Sequence, residues 1–305
     1  MSPSTALLVG LSLAFAWSMG AHYTGAVMGM PYASKSIRMW PALILLSIMT
    51  IIGATFASHG VQQTVGLHIV NADHVTTPML IVMEFGAFFL TTVYTYAKVP
   101  TSTIQILIFC IVGTAVAAGV GVNWTTVWHL AVLWVLAPPA AVLLGYLMTK
   151  LLDLVVPSAT ETVSAQRWSF LPVLLVLVGV GASFVLGAND VSNAIGVWSS
   201  INLTSLLIAG LLGGIAMAVG ALTWGQRILN RVAFDIVKVD LSMASAAQFV
   251  QALVGAMAGT GLARGRETVQ KATLLGIVKG WAISPISGFA ICFLLEHLLI
   301  AFGQR

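Results

Sequence analysis

Helix-length apolar runs alternate along the chain with short polar breaks. Residues 6–19 are apolar and meet the string Gly20-Ala21-His22-Tyr23-Thr24-Gly25; a shorter apolar piece then leads to Met30 and Pro31. Residues 40–57 form a clear apolar span, and 58–77 are polar without Lys or Arg. Residues 78–97 are again helix-length and carry one acid, Glu84. The next break is Lys98-Val99-Pro100-Thr101-Ser102-Thr103, after which 104–121 are apolar. Residues 122–152 are long for one span and hold Pro138-Pro139, a kink signal. Residues 153–168, rich in Ser, Thr and Glu, read as a linker. The pattern then restarts: 171–186 are almost wholly apolar, Gly187-Ala188-Asn189-Asp190-Val191-Ser192-Asn193 is a polar island, and apolar residues resume at Ile195. The runs lack strict alternation, so helices are expected and not a barrel.

Composition turns these runs into membrane spans. Of 305 residues, 59% are hydrophobic and only 7% charged, against about 25% charged in soluble domains. A soluble domain is excluded, and a multi-pass protein of the cell membrane is expected. The net charge of +4 belongs to basic loops and is no nucleic-acid footprint. The first apolar run lacks a basic flank and contains Trp17, so it reads as a first span and not a signal peptide. Cys110 and Cys292 sit in apolar runs and read as small buried hydrophobes.

Fixed offsets expose an internal repeat. Gly20-Ala21 recurs as Gly187-Ala188, Gly29 as Gly196, and Gly53-Ala54 as Gly220-Ala221, each 167 residues on. Gly113 pairs with Gly259 and Gln105 with Gln251 at an offset of 146, and Trp134 and Pro138 pair with Trp281 and Pro285 at 147. The second copy is therefore about 21 residues shorter. The loss falls between Val232 and Ala246, where a counterpart of the 78–97 helix is missing.

Charge placement sets the expected topology. Lys35 and Arg38 are placed inside, which puts the uncharged 58–77 loop outside. If the arms around Pro100 to Thr103 form a re-entrant hairpin, the Asn123 loop is outside and Lys150 and Arg167 are inside. In the second half 199–204 is outside, while Arg227, Arg231 and Lys238 are inside. If 242–261 is re-entrant as well, Arg264, Arg266 and Lys271 are inside too; if it crosses once, that basic loop falls on the other side. Basic loops thus alternate in opposite phase in the two halves, with both termini outside. The expected fold is an all-α membrane protein of two inverted-topology repeats with broken helices and re-entrant hairpins. Residues 1–152 form the first repeat, 153–168 the connecting loop, and 169–305 the second, shorter repeat.

Inverted repeats bring equivalent breaks together near the membrane midplane. Four are expected to converge: His22-Tyr23, Thr101-Ser102-Thr103, Asn189-Asp190, and 248–251 with Gln251. Polar groups at this depth are costly and call for an ion, a ligand or water. Consecutive hydroxyls and free backbone N–H groups suit a tetrahedral oxyanion. Thr101, Ser102, Thr103, Asn189 and His22 are therefore the candidate anion-binding residues. Asp190 repels an anion, so Asp190, Asn193, Gln105 and Gln251 are the candidate cation site, with Asp190 the ligand if the ion is Na⁺. Glu84 is open between a buried protonated acid, a partner of Lys98 across the hairpin, and a functional group. No His/Cys/Glu cluster has metal spacing and no Ser/His/Asp set is visible, which argues against an enzyme; no cofactor is expected.

These motifs resemble the inorganic phosphate transporter (PiT) family. Its pattern is a Gly-Ala-Asn-Asp motif opening each of two inverted repeats, with a Pro-x-Ser-Thr-Thr-His motif later in each. Gly187 to Asn193 matches the first motif. Pro100-Thr101-Ser102-Thr103 matches the start of the second, with Gln105 at the His position. Val254-Gly255-Ala256-Met257-Ala258-Gly259-Thr260-Gly261-Leu262 is similar to the glycine run that follows. The chain departs twice. The first Gly-Ala-Asn-Asp reads Gly20-Ala21-His22-Tyr23, and the second hydroxyl motif reads Ala246-Ala247-Gln248-Phe249-Val250-Gln251. The resemblance is thus to a shortened variant with a degenerate first motif. It implies symport of phosphate with Na⁺ or H⁺ across the plasma membrane by alternating access, with the ions bound between the repeats. The lost carboxylate removes a cation site or replaces it with a titratable His22. It also opens sulfate as the anion, since sulfate has no proton to offer a carboxylate. A non-transporting anion-binding membrane protein is the remaining alternative. The partners expected are phosphate or sulfate, the coupling cation and the lipid bilayer, with a homodimer as an open assembly.

Overall fold

The computed structural model describes residues 1–64, 69–70, 74–99, 101–155, 170–234, 262–263 and 271–303. The helices are α1 (Pro3–Ala33), α2 (Met39–Ala57), α3 (His59–Thr64), α4 (Thr77–Tyr96), α5 (Thr103–Ala118), α6 (Trp124–Val155), α7 (Phe170–Asn189), α8 (Val191–Ser200), α9 (Leu206–Phe234) and α10 (Lys271–Ala301). Among the described residues there is no strand beyond one isolated bridge, Val70 to Val122. Among the described residues, seven stretches are long and apolar enough to cross a membrane: α1, α2, α4, α6, the α7–α8 pair, α9 and α10. At 16 residues, α5 is about 24 Å long, short of a hydrocarbon core of about 30 Å.

Local sequence explains the ends of the hairpin that carries the site. At the end of α4 the Val99 N–H bonds the Tyr94 carbonyl at 2.9 Å and the Lys98 N–H bonds that of Thr95 at 3.0 Å. This closure places Lys98 at φ 56°, a left-handed position usually given to glycine. Ser102 then caps α5 by accepting the Gln105 N–H at 3.4 Å. Gly119, at φ 70°, ends α5.

Two helix crossings hold the halves together. At the first, α1 meets α9: a Cβ on Gly20 would stand 1.8 Å from the Met217 carbonyl oxygen, and one on Gly220 would stand 1.7 Å from that of Trp17. At the second, α7 meets α2: a Cβ on Gly187 would stand 2.0 Å from the Thr50 oxygen, and one on Gly53 would stand 2.0 Å from that of Phe184. All four residues of one crossing map onto the other by the single offset of 167. Each crossing joins a helix from one half to a helix from the other. Hydroxyls seal both: Thr24 donates to the Gly225 carbonyl at 2.7 Å, and Thr50 donates to that of Ser183 at 3.3 Å.

The hairpin α4–α5 packs against α10, where Gly113 and Gly288 again meet backbone atoms of the opposing helix. Cys110 and Cys292 are fully buried there as free thiols, as expected of small hydrophobes. α6 and α10, which share the Trp-to-Pro spacing, are single helices of 32 and 31 residues through their prolines. The expected second hairpin at 242–261, with Gln251, and most of the proposed deletion point lie outside the described residues.

Two breaks differ from expectation. α1 runs without interruption through His22-Tyr23. The reason is that both side chains find partners on the neighbouring hairpin, so the backbone need not open to satisfy them, and Gly20 serves the crossing instead of an unwinding. The break at Asn189-Asp190 is a single turn residue: the Asp190 N–H still bonds the Leu186 carbonyl at 2.9 Å, and α8 starts at the next residue.

Candidate functional site

The tip of the α4–α5 hairpin is clasped by two adjacent residues of α1. His22 is buried, with Nδ1 2.9 Å from Thr95 Oγ1 and Nε2 2.9 Å from the Thr101 amide nitrogen. The Thr101 carbonyl oxygen is also 3.0 Å from Nε2. An amide can only donate, so accepting it requires an unprotonated Nε2. Nδ1–H then donates to Thr95 Oγ1, which in turn donates to the Thr91 carbonyl at 2.7 Å. This tautomer satisfies the Thr101 N–H, Thr95 Oγ1 and the Thr91 carbonyl and leaves the Thr101 carbonyl without a proton from the ring; with the proton on Nε2 that carbonyl would gain a donor and the Thr101 N–H would lose its partner.

Tyr23 makes the second clasp. Its hydroxyl is 2.7 Å from Thr103 Oγ1, and the Asp190 carboxylate faces the same hydroxyl from the α7–α8 turn. The structure therefore brings together His22, Thr101, Thr103 and Asp190, from three separate stretches of sequence. Ser102 is half-buried and caps α5. Gln105 stands on the first turn of α5, its buried Oε1 without a hydrogen-bond partner. Asn193 is buried one turn into α8, its N–H on the Asp190 carbonyl at 3.0 Å. Asn189 is exposed on the last turn of α7. Gln251 lies outside the described residues.

Glu84 is not paired with Lys98: it is fully buried, and neither carboxylate oxygen has a hydrogen-bond partner. Lys98 stands at the hairpin turn, beyond the end of α4. At that end Arg227 of α9 lies over the Tyr96 and Trp224 rings, 5.1 Å from each centroid, and ties α4 to α9. Among the described residues no group of three or more His, Cys, Asp or Glu side chains could hold a metal ion.

Two members of the site were not among the candidates, Tyr23 and Thr95. The signal for Tyr23 was present, since the offset of 167 places it on Asp190. Thr95 is visible only as a polar residue one turn after Thr91 on an apolar helix, which does not by itself name a partner.

The family model described as "Phosphate transporter family" matches residues 19–254, a stretch that includes both clasps, the hairpin tip and Asp190. The chain belongs to the phosphate transporter family. A protein named as a phosphate permease in Methanocaldococcus jannaschii is 25% identical over 299 residues, covering 92% of this chain and 93% of that one. The sulfate permease CysP of Bacillus subtilis is 26% identical over 310 residues, covering 95% and 86%. A solved structure titled "The sodium-dependent phosphate transporter" superposes with a TM-score of 0.86 at 20% identity, covering 98% of this chain and all of that one. The last likeness shows that the two share a fold. With the seven apolar stretches, family membership makes this a multi-pass membrane protein.

Proposed function

We propose that the protein carries inorganic phosphate across the cell membrane together with a cation, as a transporter and not an enzyme. The observation that carries the reading is the meeting of the hydroxyl tip with His22, Tyr23 and Asp190 inside a helical membrane body. The names of the archaeal relative and of the structural neighbour support phosphate, and the neighbour's name supports a coupling ion.

The anion rests against Thr101, Ser102 and Thr103, with His22 holding the tip and Asn189 at the rim. Ser102 Oγ accepts the Gln105 amide, which leaves its O–H free to donate to an oxyanion. Asp190 takes the cation, Na⁺ or H⁺, with Asn193, Gln105 and Gln251 supplying further oxygens. Tyr23 links the two. It has one hydroxyl proton and two acceptors in reach. With Asp190 ionised and empty, Tyr23 donates to the carboxylate and accepts from Thr103. With a cation on Asp190, Tyr23 turns its proton to Thr103, whose own proton is released to the anion. The two ions then favour each other's binding, the reciprocity any coupled carrier needs. Residues 1–152 and 169–305 act as inverted halves that rock about this site.

Radiolabelled phosphate and sulfate uptake into proteoliposomes, with Na⁺ and H⁺ gradients imposed in turn, tests the reading. Saturable phosphate uptake driven by one gradient is the expected result, and that gradient names the ion. Preference for sulfate would shift the substrate to that of the Bacillus relative. Flux of neither anion under either gradient would overturn the carrier reading.

A further inference from the structure

We infer that Glu84 is a proton-binding site of the transport cycle, separate from Asp190. Its burial is complete and its two oxygens have no hydrogen-bond partner. A carboxyl in the interior of a spanning helix is costly, and a partnerless one gains nothing from its surroundings in return. The packing seen here does not explain its presence, so its use lies in a change of state.

The position of Glu84 ties it to the site. Successive helical residues turn by about 100°, so Glu84, Thr91 and Thr95 lie within about 40° of one another on α4. All three are fully buried, and the Thr91 hydroxyl also has no hydrogen-bond partner. Thr95 is the residue bonded to His22. One rigid helix thus carries the clasp at its end and the carboxyl about 16 Å back along its axis. Any shift of the hairpin tip against α1 moves Glu84 with it.

The surroundings name the ligand. Hard metal cations are held by sets of oxygen donors, and among the described residues Glu84 belongs to no group of three or more His, Cys, Asp or Glu side chains that could hold one. A proton needs only the carboxylate. The titratable groups nearby are few. Cys110 of α5 and Cys292 of α10 both lie against Gly86, on the opposite side of α4; α10 also carries the buried Glu296, one turn beyond Cys292, and the exposed Lys279 and His297. α1 carries no acid, Lys, Arg or Cys; its titratable groups are His22, Tyr23 and Tyr32, and His22 and Tyr23 contact the hairpin tip at the far end of α4. From α9, Arg227 stands at the same far end.

The inference rests on the carrier reading, and the experiment separates the two. Dicyclohexylcarbodiimide, which is lipid-soluble and attacks protonated carboxyls, is applied to the wild-type protein in vesicles between about pH 5 and 8, and the α4 peptide is read by mass spectrometry. Labelling at Glu84 that fades as pH rises is expected, and this readout does not depend on any anion. Absence of labelling at every pH would overturn the proton site. In parallel, wild-type and Glu84→Gln proteoliposomes are compared for phosphate and sulfate uptake under an inward H⁺ gradient and for exchange at equal pH. One pH unit corresponds to about a tenfold accumulation per coupled proton. The variant is expected to exchange anion but to lose that response; a full gradient response in Glu84→Gln would also overturn the site. Failure of the wild type to move either anion strikes the carrier reading, while labelling still reports on Glu84.

Discussion

The proposed coupling of anion and cation rests, at the scale of single residues, on Tyr23. Its hydroxyl is hydrogen-bonded to Thr103, and the Asp190 carboxylate lies nearby. Tyr23→Phe removes the proton that both compete for and leaves the ring in place. Anion affinity in the variant is expected to lose most of its dependence on the cation, a loss of about 10–150-fold in coupling, the size of one net hydrogen bond to a charged group. Asp190→Asn is expected to abolish gradient-driven uptake while leaving anion exchange measurable. Titration calorimetry of phosphate with and without cation checks the first, and vesicle uptake the second; coupling unchanged in Tyr23→Phe would break the proposed link. The polar residues of this site were largely legible in the sequence, because a charge or a run of hydroxyls among apolar residues is conspicuous. Their pairing was not, since hydrogen bonds between His22 and Thr101 span 79 positions and depend on how helices are rotated.

At the scale of elements, the hairpin tip carries a visible strain. Lys98 holds φ 56°, a conformation that costs a residue with a Cβ about 1–2 kcal/mol. Lys98→Gly is therefore expected to stabilise the protein by about 1 kcal/mol, read as a higher unfolding temperature in detergent; a lowered temperature would show that the lysine side chain contributes more than its backbone costs. Helices α2, α4 and α5 were readable from their apolar runs. The break expected in α1 was not there, because His22 and Tyr23 look like a helix interruption only while their partners are unknown. The polar island at Asp190 was placed correctly and was smaller than expected, a single turn residue between α7 and α8.

At the scale of the molecule, the two glycine crossings set the architecture. A methyl group at Gly20 or Gly187 would collide with a backbone oxygen that belongs to a helix of the other half. Gly20→Ala and Gly187→Ala are each expected to destabilise by about 1–3 kcal/mol, as overpacked cores do. Gly181, where an added Cβ meets nothing within 4 Å, is the control: Gly181→Ala is expected to be neutral or to gain about 0.5–1 kcal/mol. Thermal unfolding of the three variants checks this, and equal behaviour of all three would remove the crossings from the account. The offset of 167 was legible as a repeat; that its residues touch across halves and not within them was not, because an offset gives equivalence and not contact. This exchange has a consequence for biosynthesis. The glycine that α1 needs opposite it, Gly220, is made 200 residues after Gly20. At about 5–20 residues per second, α1 waits in the bilayer for about 10–40 s before its mate leaves the ribosome. Neither half can complete its packing alone, so assembly is a post-insertion step, and a chain interrupted before α9 leaves α1 with its glycine face against lipid.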